Sequence, residues 1–147
     1  MVKMVKMIKL LETTDLQQWA EMCADVYPDT LAEEMLAEFE AGRFPHEYGY
    51  YKDDQLVGFV SLSLRHDYVE GTSSNPVGYI EGIYVNEDHR KEGVARELIE
   101  FAKIWSIERG CREMASDCLL NNVDSLAFHT SIGFKEAERI IHFTMAL

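Results

Sequence analysis

The chain has 147 residues, of which 47% are hydrophobic and 27% charged, which predicts a single globular domain over residues 1–147. Asp and Glu number 26 against 14 Lys and Arg, so the net charge is −12 and a nucleic-acid backbone would be repelled. We therefore expect no nucleic-acid partner. The same negative field would attract polycations, although an acidic surface more often serves solubility.

The three cysteines are odd in number and widely spaced, with no Cys-x-x-Cys pair, so neither a disulfide framework nor a metal site is expected. The opening residues MVKMVKMIKL lack the uninterrupted apolar run and small-residue cleavage site of a signal peptide. No apolar run approaches the ~20 residues that cross a bilayer. These features favour a cytoplasmic protein without membrane contact.

The first half of the chain predicts a strand, two helices and a hairpin. The strand ends at Leu10, and the antiparallel hairpin occupies 48–52 and 56–64, before a polar loop over 65–76. Each helix should open with a capping box, in which a Thr is followed three residues later by Gln or Glu: Thr14 with Gln17, and Thr30 with Glu33.

The second half predicts a parallel βαβ unit followed by one more helix and strand. An apolar strand over 78–85, a long helix over 93–109 and a strand over 111–120 form the unit, which should be right-handed. A helix over 122–131 and a final strand over 138–145 complete the chain. This order predicts an α/β fold in which helices cover both faces of a mixed sheet.

The turn RKEGVA, between the strand and the long helix, carries the most specific local signal. Backbone N–H groups in such a turn and at the helix N-terminus bind anions. Gly93 allows a phosphate to approach closely, Ala95 keeps the helix start uncrowded, and Arg90 and Lys91 add positive charge. A Gly-x-Ala turn taken alone is nevertheless more often ordinary turn chemistry.

The surrounding sequence VGYIEGIYVNEDHRKEGVARELIEFA resembles motif A of the GCN5-related N-acetyltransferases (GNAT), whose loop has the form Arg/Gln-x-x-Gly-x-Gly/Ala. Downstream, Asn122 and Gly133-Phe134 match the family's last helix and strand entry. The resemblance implies a GNAT-like mixed sheet whose central βαβ unit binds acetyl-CoA. It implies these cofactor contacts: Ile83, Tyr84 and Val85 for the pantetheine arm, Arg90, Lys91, Glu92, Gly93, Val94 and Ala95 for the pyrophosphate, and Asn122 and His129.

Two further stretches, SLRHDYVEGTSSNPVGYIEGIYV and CREMASD, resemble the aminoglycoside 6′-N-acetyltransferases within that superfamily. That resemblance implies acetyl transfer to the 6′-amine of an aminoglycoside by direct attack in a ternary complex, and hence antibiotic resistance. It assigns Tyr68, Glu81 and Asp117 to the substrate. Tyr27 falls where the family tends to place an aromatic residue, often Trp, against a sugar ring.

The chemistry of the proposed reaction fits two of these residues. An amine is mostly an ammonium at neutral pH and cannot attack a thioester until a base removes a proton. Glu81 stands within an apolar strand, where a buried unpaired carboxylate would be costly, so we expect it to face a cleft. Asp117 ends the neighbouring parallel strand. Either carboxylate could instead be a structural partner for an Arg or a backbone amide.

His129 replaces the Tyr that the wider superfamily usually places on this helix to protonate the departing thiolate of coenzyme A. An imidazole can carry or relay that proton, and a surface histidine is the plainer alternative. Cys111 and Cys118 do not favour an acetyl-cysteine intermediate, because no His or Asp is placed beside either thiol and both fall in a buried-looking strand.

Two alternative readings remain open from the sequence. The acceptor could be a polyamine, another small amine or a protein N-terminus, and the chain could instead be a CoA-binding or amine-binding module without activity. Related aminoglycoside acetyltransferases commonly dimerise, and the terminal segment IIHFTMAL is apolar enough to pair with a neighbour, so we expect a homodimer.

Overall fold

The computed structural model describes residues 6–147. Its strands and α-helices, in chain order, are β1 (Lys6–Leu10), α1 (Leu16–Val26), α2 (Ala32–Glu40), β2 (Glu47–Lys52), β3 (Gln55–Arg65), β4 (Val77–Val85), α3 (Val94–Glu108), β5 (Met114–Ser116) and α4 (Val123–Ser131). Short 3-10 turns at Thr13–Asp15 and Glu87–His89 precede α1 and α3.

The five strands form one mixed sheet in the order β1-β2-β3-β4-β5. Neighbouring strands are antiparallel except for β4 and β5, which are parallel and joined through α3. The predicted hairpin and the parallel βαβ unit are therefore both confirmed. A parallel pair requires such a long crossover, since a tight turn can join only antiparallel strands.

Two apolar cores lie on opposite faces of the sheet, because successive side chains of a strand point to opposite sides. Val60 of β3 packs with Leu98 and Trp105 of α3 in one core. The preceding residue, Phe59, packs with Trp19 of α1 in the other, to which α2 also contributes. Helices thus cover both faces, as the element order predicted.

Neither predicted capping box forms as expected. α1 begins at Leu16, and Thr14 lies in the preceding 3-10 turn instead of capping the helix. α2 begins one residue later than predicted, and the carboxylate of Glu34 accepts the backbone N–H of Leu31 at 3.5 Å. The hydroxyl of Thr30 donates to the Pro28 carbonyl at 3.4 Å. Pro28 therefore redirects the Thr30 hydroxyl towards the preceding turn.

The prediction of a strand over 138–145 is wrong, and the predicted strand over 111–120 shortens to the three residues of β5. Residues 135–147 carry no regular structure and are exposed, and no residue of α4 is buried. An apolar segment becomes a strand only where a neighbouring strand completes its hydrogen bonds. Within the described residues, the three-residue edge of β5 gives this segment no such partner.

Candidate active site

Glu81 is the residue that β4 leaves out of its ladder with β3. The register pairs Ser61 with Gly82 and Leu62 with Ile80, so Glu81 has no partner opposite and forms a β-bulge. A bulge changes the direction of its side chain. The carboxylate of Glu81 consequently lines a cleft instead of entering the apolar core.

The same part of β4 is open on its other side. The parallel pairing covers only Gly78–Ile80 on β4 and Met114–Ser116 on β5. Beyond Ile80, the two strands share no further pairing in the described part of the chain. Residues 83–85 therefore have no strand neighbour on that side, and their backbone groups can pair with an extended ligand.

The turn after β4 leads directly into the N-terminus of α3. Gly93 is the N-cap, with φ of +84°, and an added Cβ there would meet nothing within 4 Å. The backbone at this position is therefore open to a ligand. Nε of Arg90 donates to the Val85 carbonyl at 3.0 Å, which ties the turn to the end of β4. The open N-terminus of a fifteen-residue helix is a suitable anion site.

Other residues of this turn serve its framework through their side chains. Nζ of the buried Lys52 lies 2.6 Å from the carboxylate of Glu92, which also lies 3.3 Å from Nδ1 of His89. The hydrogen bond from Lys52 lowers the pKa of Glu92. Val94 is buried in the core under the sheet, and Tyr84 donates to Asp25. The side chains of Glu92, Val94 and Tyr84 thus have partners within the protein.

A cleft of about 470 Å³ opens beside the bulge on the α1 side of the sheet. Its polar lining includes Tyr27, Ser61, Ser63 and Glu81, and the segment around α2 adds Thr30, Arg43 and His46. Tyr27 is the C-cap that follows α1, and its hydroxyl lies against Gly82, where an added Cβ would come within 2.2 Å of the oxygen. Glycine at this position lets the tyrosine reach the sheet.

Arg65 and Ser63 hold the carboxylate of Glu81. Nη2 of Arg65 lies 2.9 Å from both carboxylate oxygens, and Nε of Arg65 donates to Oε1 at 3.1 Å. The hydroxyl of Ser63 donates to the same Oε1 at 2.7 Å. Glu81 is therefore a fixed negative group whose Oε1 already accepts three hydrogen bonds.

Asp117 joins this network through Tyr79. The Tyr79 hydroxyl donates to Oδ2 of Asp117 at 2.5 Å, and Cζ of Arg65 lies 3.4 Å from the centre of the Tyr79 ring. Burial, followed by the hydrogen bond to Asp117, raises the pKa of Tyr79. The structure thus links the two predicted carboxylates, Glu81 and Asp117, through one arginine and one tyrosine.

His129 lies beside β5 and is half-buried. Its Nδ1 lies 2.7 Å from the Ser125 carbonyl, which can only accept, so Nδ1 carries a hydrogen. Its Nε2 lies 2.8 Å from the hydroxyl of Ser116. Asn122 is the N-cap of α4, and its Oδ1 accepts the backbone N–H of Ser125 at 3.1 Å. Both side chains thus have structural partners.

Tyr68 lies apart from the cleft. Its side chain is 73% exposed, in a small hollow formed by the loop between β3 and β4. Glu113 holds this loop by accepting the backbone N–H of Ser73 at 2.8 Å and the hydroxyl of Ser74 at 2.5 Å. The structure therefore places Tyr68 on the loop, outside the residues that line the cleft with Glu81.

The comparisons with known proteins agree with this arrangement. The model of the acetyltransferase (GNAT) family matches residues 13–134, which include the bulged strand, the anion turn and α4. The chain belongs to the GNAT family of acetyltransferases. The family resemblance and the fold predicted from the sequence are both confirmed.

Relatives and solved structures narrow the similarity within the GNAT family. An aminoglycoside N(6′)-acetyltransferase type 1 from Acinetobacter haemolyticus is 37% identical, and the match covers 93% of this chain and 96% of the relative. The structure of AAC(6′)-Iy with CoA has a TM-score of 0.87, with 32% identity over 99% of this chain and 98% of its own. AAC(6′)-Iy with the bisubstrate analog CoA-S-monomethyl-acetylneamine has a TM-score of 0.83, with 34% identity over 97% and 99%.

Residues 6–147 lack two other kinds of feature. No group of three or more His, Cys, Asp or Glu in that range could hold a metal ion. In the same range, no helix of this GNAT domain is long and apolar enough to cross a membrane.

Sequence reasoning missed Ser63, Arg65, Tyr79 and the buried Glu47. A signal for the first two was present, because SLSLR alternates polar and apolar residues and so places Ser61, Ser63 and Arg65 on one face of β3. For Tyr79 and Glu47 there was no comparable local signal. Each acquires its environment from elements distant in the chain.

Proposed function

We propose that this GNAT chain is an aminoglycoside 6′-N-acetyltransferase that transfers the acetyl group of acetyl-CoA to a 6′-amine. The observation that carries the proposal is the cleft at the bulge of β4, which the Glu81 carboxylate lines beside the open part of the sheet. The relatives of similar length carry the same activity in their names. Modification of the antibiotic by this reaction would confer resistance.

The residues present fit acetyl-CoA. The open backbone of residues 83–85 suits the extended pantetheine arm, and the turn from Arg90 to Ala95 suits the pyrophosphate. When bound, acetyl-CoA supplies an activated acetyl thioester. Backbone N–H groups on β4 would polarise its carbonyl, and the negative charge that develops on the oxygen is stabilised by such fixed dipoles.

The acceptor binds in the cleft as a cation. With a net charge of −12, the protein attracts a polycationic sugar, and the ionised Glu81 holds one of its ammonium groups against β4. The Asp117 carboxylate binds a second ammonium group of the acceptor. Tyr79, which packs against Arg65, donates to this carboxylate and so orients it. Tyr27 packs against a sugar ring, and Tyr68 on the loop over 65–76 contacts the part of the substrate outside the cleft.

We infer direct attack by the amine in a ternary complex, in place of transfer through a cysteine. Cys23 and Cys111 are buried, and burial raises the pKa of both thiols, so each is a poor nucleophile. Cys118 is exposed but does not line the acceptor cleft. With a hydrogen on both ring nitrogens, His129 would donate from Nε2 to the Ser116 hydroxyl and so relay a proton to the departing thiolate.

The assembly state and compartment are part of the same proposal. α4 has no buried residue, and the exposed tail includes Ile141, Phe143 and Met145, each at least 77% exposed. Because each chain leaves both surfaces bare, a second copy can cover them reciprocally in a homodimer. Light scattering should report two chains, and a monomer would contradict this. Three free cysteines favour a reducing compartment, the cytoplasm.

Thiol release from acetyl-CoA tests the proposed activity, with kanamycin A, spermidine or no acceptor. The protein should release thiol with kanamycin A as the acceptor. Glu81→Ala and Asp117→Ala should each lower kcat/KM by about 10²-fold, the usual scale for a lost proton-transfer or orienting group. Glu108→Ala is the matched control, since this exposed carboxylate ends α3 away from the cleft. Preference for spermidine would assign a polyamine acceptor, and silence with every amine would contradict the enzyme.

A further inference from the structure

Glu47 is a buried carboxyl group that the proposed function has not used. It begins β2, is only 2% exposed, and accepts the indole N–H of Trp19 at 2.9 Å. A buried carboxyl group without a cationic partner is costly to a fold. Among the described residues, no arginine or lysine is recorded as paired with it.

A row of hydroxyl groups leads from Glu47 to the acceptor cleft. Across the sheet, Glu47 of β2 pairs with Ser61 of β3, and Ser61 pairs with Gly82 of β4. The Tyr27 hydroxyl lies directly on Gly82. Ser61 thus lies between Glu47 and the strand position that Tyr27 covers, and its hydrogen bonding lowers the pKa of both groups against the larger effect of burial. Tyr27 and Ser61 line the cleft, whereas Glu47 lies behind them.

The surroundings of Glu47 favour proton exchange near neutral pH. Burial raises its pKa to about 7, against the opposing hydrogen bonds of Ser61 and Trp19, and the negative Glu81 raises it further. The other titratable groups facing it are Cys23 and Tyr27 of α1, whose pKa values are raised in turn by burial and then by Glu47.

Glu81 is the carboxylate that lines the acceptor cleft, and its oxygens already accept hydrogen bonds from Ser63 and Arg65. Its Oε1 accepts from Ser63 and twice from Arg65, and its Oε2 accepts from Arg65. A proton arriving at Oε1 would have to displace one of its three donors, and a proton on either oxygen would weaken the ion pair with Arg65. The cleft therefore separates a carboxylate that binds charge from a carboxyl group that can take a proton.

We propose that the proton lost by the acceptor amine ends on Glu47, through the hydroxyl groups of Tyr27 and Ser61. This rests on the proposed acetyltransferase function. An N–H bond of the ammonium breaks as its proton passes to the Tyr27 oxygen, while the Tyr27 proton moves to Ser61 and the Ser61 proton to Glu47. The lone pair left on nitrogen attacks the thioester carbon, and the C–S electron pair leaves with sulfur.

Two further proton movements complete the reaction. The attacking nitrogen loses its one excess proton as the amide forms, and this proton replaces the one that His129 supplies to the coenzyme sulfur. Glu47 returns its own proton to solvent along the same row after the product leaves. Tyr27 is the catalytic residue in this scheme because it touches the amine. Glu47 is a positioning residue that acts through it.

The test is Glu47→Gln, which keeps an oxygen for Trp19 but cannot take a proton. With kanamycin A, kcat should fall by about 10²-fold, while the KM for acetyl-CoA stays near that of the wild type. The kcat of the wild type should rise with pH through about 7, where Glu47 ionises, and the variant should lose this rise. Tyr27→Phe and Ser61→Ala should each lower kcat, with effects that do not add to Glu47→Gln.

Controls separate a proton path from a structural role. Glu47 has a raised pKa in the fold, so its stabilising contribution is present below about pH 4.5 and is lost as pH rises through about 7. Glu47→Gln should therefore melt higher than the wild type at pH 8. A variant that melts lower and keeps the wild-type pH–rate profile would overturn the proposal.

The outcome for the wild type distinguishes the two proposals. A wild type that acetylates no amine contradicts the function itself. A wild type that acetylates kanamycin A, together with a Glu47→Gln variant of unchanged kcat and pH profile, contradicts only the proton path. Should Glu47→Gln not fold, unchanged kcat in Tyr27→Phe and Ser61→Ala would overturn the path equally.

Discussion

The anion turn and the acceptor cleft are two halves of one site, built in different ways. The turn is six consecutive residues, Arg90–Ala95, that present backbone groups at the start of α3. The cleft takes side chains from the end of α1, from β3 and β4, and from the segment around α2. A backbone site depends on local conformation, whereas a side-chain site depends on how distant elements pack. Substitutions in the cleft should consequently lower kcat/KM for the acceptor, and substitutions in the turn should lower the affinity for CoA.

Gly82→Ala should produce the largest effect and should affect the cleft alone. The new Cβ would lie within 2.2 Å of the Tyr27 oxygen, so the tyrosine must leave its place against β4. We expect kcat/KM for kanamycin A to fall by about 10²-fold, since an acceptor-contacting group is displaced, with little change in CoA affinity by calorimetry. Equal losses in both halves would break the proposed separation.

Gly93→Ala should affect the turn alone, and the chain supplies a matched control. Gly93 and Gly110 both have φ of +84° and nothing within 4 Å of an added Cβ, but only Gly93 lies in the turn. Both variants should lose similar stability from backbone strain. Only Gly93→Ala should lower the affinity for CoA. The expected loss is about tenfold, because CoA must hold the turn in a conformation that costs alanine roughly 1–2 kcal/mol. Similar CoA affinities in the two variants would remove the turn from the cofactor site.

Salt should have a smaller effect, which differs between the KM for the acceptor and the KM for acetyl-CoA. Screening weakens the attraction between an acidic protein and a cationic acceptor, so the KM for kanamycin A should rise a few-fold, by roughly 2–5-fold, from low to high ionic strength. The KM for the anionic acetyl-CoA should stay constant or fall, because the same net charge of −12 repels it. A KM for kanamycin A that does not change with salt would remove electrostatic steering.

The sequence predicts these two halves unequally for the same physical reason. The turn and the βαβ unit were predictable, since their signals are contiguous: an apolar strand, a glycine and an amphipathic helix. Glu81 was predicted to face a cleft, but its partner Arg65 lies 16 residues away on another strand and was missed. Glu47 meets Trp19 across 28 residues, and only packing brings the two together.

The C-terminal segment shows where a hydrophobic pattern predicts too much structure. Its apolar residues predicted a strand over 138–145, yet residues 135–147 have no regular structure. Hydrophobic pattern shows that a segment can be buried, but it does not supply the neighbouring strand. That missing partner is the physical reason for the error, and it is what the proposed homodimer would provide.

The most direct test of the central claim is the structure of the product formed from kanamycin A and acetyl-CoA, determined by NMR. The account predicts a single acetyl group on the 6′-nitrogen, formed with one equivalent of free coenzyme A. Acetylation at another amine, or no acetylated product from a folded protein that binds coenzyme A, would contradict it.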